Sequence, residues 1–216
     1  ALPISYISIP TIFSITKNPD ETISVLKKVF YYGSNSNINR IIFNHSTCKE
    51  LEIAASTIMD TIVMACKSYR NNNGETLSIA GNYPSDPNVR KIFRASGLPA
   101  HLYIKNIHRT DNKKLFTLVA GKNGSERSGS VATKLTDYIN ECMLTQEFVL
   151  TEHGLNQISK MFGETIDNCE LHGGENSTWY VLGYFDMSKE YGEMRLVIFN
   201  YGISISEQII KSDVSQ

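Results

Sequence analysis

Glu164 and Asn168 stand four residues apart in the run Glu164-Thr165-Ile166-Asp167-Asn168-Cys169-Glu170-Leu171-His172-Gly173. On a helix that spacing is one turn, so a carboxylate and a carboxamide oxygen lie side by side and address the same volume. Hydrolysis or transfer of a γ-phosphate asks for such a pair: a carboxylate to act as base or position the attacking group, and a hard oxygen ligand for magnesium. Glu164 suits the first task and Asn168 the second. Plain solvation of a helix's outer face also produces polar pairs, and for the two residues taken alone that is the better reading.

The elements that must position this pair can be read on either side of it. Leu155, Ile158, Phe162, Ile166 and Cys169 recur at helical spacing and form one stripe, which should pack on a sheet with Glu164 and Asn168 well away from it. Thr151 reads as the cap of this helix. Gly163 weakens a helix interior, which asks for a reason such as the close approach of another group. After Gly173-Gly174 the pattern becomes that of strands. Thr178 to Phe185 and Met194 to Phe199 flank the polar turn Ser188 to Glu193, a β-hairpin with a longish loop. Asn200-Tyr201-Gly202 then reads as a strand-ending turn, which these residue types make readily.

The local form Glu-x-x-Asp-Asn-x-x-x-His-Gly, followed by the hairpin and Phe199-Asn200-Tyr201-Gly202, resembles the ATPase superfamily of gyrase, histidine kinases and MutL (GHKL). It looks closest to the serine-kinase branch of bacterial anti-sigma factors, with sensor histidine kinases next. The resemblance covers about residues 128 to 210 and implies a two-layer α/β sandwich that binds ATP with magnesium. By that resemblance Glu164 is the catalytic base and Asn168 the magnesium ligand, through the nucleotide. Asn200 and Gly202 contact adenine, and His172 supports the phosphate side. The superfamily's Asp-x-Gly-x-Gly turn is altered here, with Asn200 for the Asp and Ser204 for the second Gly. Asn200 can still accept a hydrogen bond from the adenine amine through its amide oxygen, without charge assistance. Family domains continue past this turn with a lid, a glycine-rich phosphate segment and further strands. Only Ile203 to Gln216 follow here, so the expectation is a nucleotide domain incomplete at its C-terminal side.

Upstream, strands and helices alternate. Asn18-Pro19-Asp20-Glu21 is a helix start, and Ile23, Leu26, Val29 and Phe30 recur behind it until Gly33. Arg40 to Asn44 reads as a buried strand. Thr47-Cys48-Lys49-Glu50 has the form of a capping box, predicting a helix with Leu51, Ala55, Ile58, Ile62 and Ala65 on one face. Leu77 to Ala80, His101 to Ile104 and Leu115 to Val119 are strand candidates, and Ser85-Asp86-Pro87 opens a helix. This order implies βαβ units and a parallel or mixed sheet. The run Gly121 to Ser130 is rich in Gly and Ser and lacks any apolar residue. It lacks the Walker phosphate-loop pattern too, so it reads as a linker. The expected division is therefore residues 1–120, a linker at 121–130, and 131–216. The first part resembles, more faintly, the STAS fold of anti-sigma-factor antagonists, which implies a βαβ module whose phosphosite position falls near Ser56 and Thr57. The family's Asp is absent there, and both residues read as helix surface or packing positions.

Composition narrows the class. Of 216 residues, 41% are hydrophobic and 20% charged, which suits a buried core. A net charge of -1 argues against a protein built to grip nucleic acid. No run approaches the ~18 apolar residues of a membrane helix, and the proline-bounded Leu2 to Pro10 lacks the basic leader of a secretory signal. Cys48, Cys66, Cys142 and Cys169 form no C-x-x-C pair and read as free thiols in a reducing cytoplasm. His45, His101, His108 and His153 lack zinc-site spacing. The expectation is a cytoplasmic bacterial ATP-binding regulator with ATPase or kinase chemistry, a regulatory protein partner, and homodimerisation on nucleotide as a weaker expectation. The alternative is a non-catalytic interaction module with a degenerate nucleotide site.

Overall fold

In chain order the first elements are β1 (Ile4–Ser8), β2 (Ile12–Phe13), α1 (Pro19–Ser34), β3 (Arg40–Asn44), β4 (Glu50–Leu51), α2 (Ile53–Asn72), β5 (Ser78–Gly81) and α3 (Pro87–Ala95). The rest are β6 (Leu115–Lys122), α4 (Ser128–Leu144), α5 (Glu152–His172), β7 (Thr178–Asp186) and β8 (Glu193–Asn200). The structure is a computed structural model describing residues 3–96, 115–122, 128–172, 178–187 and 192–202. Those residues form a mixed α/β chain that divides into two units, Ala1–Asp111 and Asn112–Gln216. No helix among them is long and apolar enough to cross a membrane.

In the first unit β1, β3 and β5 form a parallel sheet in that order. Each neighbouring pair is joined through a helix, as parallel pairing requires. Ile7 faces Phe43 and Ile41 faces Ile79 across the ladder, and all four are buried on one side of the sheet. Val25, Leu26 and Val29 of α1 and Ala55, Met59, Val63 and Cys66 of α2 complete that core. Pro19 sits at the first helical position of α1, as the sequence requires. Asp86 caps α3, its Oδ1 accepting from the N–H groups of Asn88 at 2.7 Å and Val89 at 3.1 Å.

The expected capping box at Thr47–Glu50 does not form. Lys49 and Glu50 donate their backbone N–H groups to the carbonyl of Thr11, and Glu52 donates to that of Phe13. Pairing of β4 with β2 therefore takes the Glu50 N–H that the Thr47 hydroxyl would have accepted in a box, and α2 starts at Ile53. Cys48 lies buried before β4 rather than in a helix. The Glu52 carboxylate instead accepts from Ser14 Oγ at 2.6 Å and from Thr16 N at 3.2 Å, tying down the loop before α1.

The second unit is an antiparallel sheet, β6-β7-β8, with α4 and α5 packed on one face. That face carries Trp179, Val181 and Phe185. Val131, Leu135, Tyr138 and Cys142 of α4 and Phe162 and Ile166 of α5 meet them. The boundary falls earlier than the composition suggested. β6 pairs with β7 on both sides of a register shift between Phe116 and Val119 and so belongs to the second unit, and it runs through Gly121 and Lys122. Gly121 is a packing residue: a Cβ there would come within 2.0 Å of Trp179 Cζ2. With α4 already begun at Ser128, only residues 123–127 of the expected linker lie between elements, and they fall outside the described residues. The strand candidate at His101 to Ile104 and His108 also lie outside them.

Candidate functional site

α5 forms as its periodicity dictates. Thr151 Oγ1 accepts from Gly154 N at 3.1 Å, closing the first turn. Phe162 and Ile166 are buried in the core, while Ile158 and Cys169 pack at its edge. Glu164 and Asn168 lie on the other side of the helix, both exposed. A Cβ on Gly163 would meet nothing within 4 Å, so packing among the described residues gives no reason for this glycine.

The C-terminal turn of α5 is fastened to the hairpin at two points. Asn200, the last residue of β8, donates Nδ2 to the carbonyl oxygen of Cys169 at 3.0 Å. Cys169 is among the last four residues of α5, whose carbonyls lack a partner within the helix. Trp179 stands directly opposite Asn200 on β7. Its indole Nε1 donates to Glu170 Oε1 at 2.8 Å. Two cross-strand neighbours thus grip two consecutive helix residues, and Asn168 immediately precedes them.

The expected site residues fall around this junction. Asn200 is brought to the backbone of Cys169, the residue that follows Asn168 in α5. Gly202 follows β8 and is exposed, and His172 is the final residue of α5. Gly173, Gly174 and Ser204 lie outside the described residues. The Asn200 amide, with its nitrogen spent on Cys169, keeps Oδ1 as an acceptor. The exposed Asn168 carboxamide offers one hard oxygen. That fits magnesium, which takes one or two protein oxygens and completes its shell with phosphate and water. No group of three or more His, Cys, Asp or Glu side chains among the described residues could hold a metal unaided.

Glu170 and Trp179 were not legible as site elements. The available signal was an acid in the last turn of a helix, where the macrodipole disfavours negative charge. Such a residue needs a compensating donor, and the indole N–H supplies it.

In the first unit Ser56 and Thr57 are completely buried. Ser56 Oγ donates to Ser96 Oγ at 2.8 Å, and Thr57 Oγ1 donates to the carbonyl of Ile53 at 2.7 Å. They are helix-packing residues, as their position suggested. His45 is also fully buried, its ring 4.5 Å from that of Phe93, and burial lowers its pKa to about 4.

No protein-family model matches the chain, and no curated protein or solved structure matches it either.

Proposed function

We propose that the second unit is an ATP-binding regulatory module of the GHKL type, preceded by a STAS-like βαβ module in the first. The observation that carries this reading is the Asn200–Cys169 hydrogen bond. It joins the turn that would receive the base to the helix that would receive the phosphates. In this reading Asn200 Oδ1 accepts from the adenine amine, and Gly202 lets backbone approach the ring. Asn168 gives an oxygen to magnesium, Glu164 orients the attacking group or takes its proton, and the end of α5 at His172 lies toward the phosphates. Magnesium, when bound, neutralises charge on the phosphate oxygens. Exposed Glu164 is free to reach a nucleophile beside them. The setting proposed is a bacterial cytoplasm, with a regulatory protein as partner and a nucleotide-dependent homodimer as the weaker alternative.

Calorimetry with ATP and magnesium on the whole protein tests the assignment. Binding is expected to survive Glu164→Ala while hydrolysis disappears. Absence of any heat with the wild type would overturn the reading. One observation favours a second reading, a non-catalytic interaction module: the base contact is a neutral amide whose nitrogen is already engaged, which weakens recognition relative to a carboxylate. Nucleotide binding without turnover, unchanged by Glu164→Ala, would select it.

A further inference from the structure

The last turn of a helix frays readily, because its carbonyls are unsatisfied and few contacts hold it. Asn168 sits one turn before the end of α5, so its placement depends on what holds that end. Asn200 provides one tie, through the backbone of Cys169. The other runs through a side chain with no role in the nucleotide reading, Glu170. Half-buried at the C-terminal end of α5, Glu170 opposes the helix dipole. It is offset by a charge-assisted bond from the indole of Trp179, a residue with no exposed surface and the chain's single tryptophan. Trp179 in turn cannot shift toward β6, because Gly121 already lies against its ring. The indole is thus a fixed post, and Glu170 is the strut between it and the helix.

We propose that Glu170 is a positioning residue for the nucleotide site: through its bond to Trp179 it sets the placement of the Asn168 carboxamide, and hence the magnesium dependence of ATP binding. The inference rests on the ATP-binding reading above. Glu170 touches neither nucleotide nor metal. It acts by holding the helix turn from which the metal's protein ligand projects, as outer hydrogen bonds orient metal ligands elsewhere. The strut also couples the site to an optical probe, since a load on Asn168 alters the hydrogen bond to the only indole.

The test compares wild type, Glu170→Leu and Glu170→Gln as whole chains, with thermal unfolding to verify that each is folded. ATP binding is measured by calorimetry across a magnesium series and in EDTA. Glu170→Leu removes the acceptor and is expected to raise the magnesium concentration for half-maximal ATP binding about tenfold, with binding in EDTA unchanged. Glu170→Gln keeps a carbonyl acceptor and is expected to restore the wild-type dependence. In the wild type, adding magnesium to the ATP complex is expected to shift Trp179 emission. This readout stands even where Glu170→Leu fails to fold. Folded Glu170→Leu with an unaltered magnesium dependence, or with equal losses in EDTA and magnesium, would overturn the positioning role, as would silent Trp179 emission. Wild type that binds no ATP under any condition sinks the nucleotide reading itself, and the proposal with it.

Discussion

Asn200 Nδ2 donates to the carbonyl oxygen of Cys169 across 3.0 Å, and an aspartate in its place could not. A carboxylate is acceptor-only at neutral pH. It would set two like-signed oxygens together at the negative end of a helix. The amide is therefore what this junction requires, since its nitrogen is the donor that the Cys169 carbonyl receives.

Asn200→Asp is accordingly expected to lower the stability of the folded protein by about 1–3 kcal/mol, the cost of losing the donor and stranding a carbonyl. Urea denaturation at neutral pH measures it. Lowering the pH to protonate the new carboxyl should recover part of the loss, since the neutral acid can donate. Equal or greater stability for the variant would show that the bond to Cys169 carries no weight.

Glu147 follows α4 with φ of 63°, the left-handed region that favours glycine. Phe148 N donates to the carbonyl of Met143 at 3.1 Å, closing the turn that reverses the chain toward α5. Glu147 is exposed and does not help fill the core. Glu147→Gly is expected to stabilise the protein by about 0.5–1 kcal/mol by removing backbone strain. A drop in the urea midpoint would mean that the Glu147 side chain does something the backbone does not reveal.

Features set by local physics were legible in the sequence, and features set by distant partners were not. The stripe of Ile158, Phe162, Ile166 and Cys169, the cap at Thr151 and the helix opening at Ser85-Asp86-Pro87 depend on residues within a turn or two, and each forms as expected, while Leu155 stays outside the core. Glu164 and Asn168 share an outer face for the same reason. The capping box at Thr47 failed because Thr11, remote in sequence, claims the Glu50 N–H that the Thr47 hydroxyl would have accepted. The domain boundary moved because Gly121 answers to the ring of Trp179, not to chain flexibility. The same logic predicts that Gly121→Ala, harmless in a linker, costs about 1–3 kcal/mol through overpacking. The Glu170–Trp179 contact was hidden by the same distance.

His45 and Asp60 give the first unit opposing responses to pH. Both are completely buried, and burial lowers the His45 pKa from 6.5 to about 4 and raises that of Asp60 from 3.8 to about 8. The unfolded chain takes up the histidine proton first, so the His45 contribution is lost as pH falls from 6.5 toward 4. The folded chain holds the Asp60 proton longer, so that contribution is lost as pH rises from 3.8 toward 8. Each slope is about 1.4 kcal/mol per pH unit. From pH 4 to 6.5 they cancel, and from 6.5 to 8 only the Asp60 slope remains. Asp60→Asn should remove the alkaline decline, and His45→Phe should expose the Asp60 slope down to pH 4. Urea midpoints collected across this range decide it. A wild-type profile that rises from pH 6.5 to 8 would refute the assignment to Asp60.

Gly163 separates stability from function most directly. It lies inside α5 immediately before Glu164, with open space where a Cβ would stand. Glycine in a helix interior costs about 1 kcal/mol relative to alanine. Gly163→Ala should therefore raise the stability of the free protein by about 0.5–1 kcal/mol, since nothing described obstructs the methyl group. If the glycine is kept for the approach of a group that arrives only when the site is occupied, the same variant should bind ATP with magnesium more weakly. The two measurements, a urea midpoint and a binding isotherm, are then expected to move in opposite directions. A more stable variant with undiminished ATP binding would detach Gly163 from the proposed site while leaving the roles proposed for Glu164 and Asn168 to their own tests.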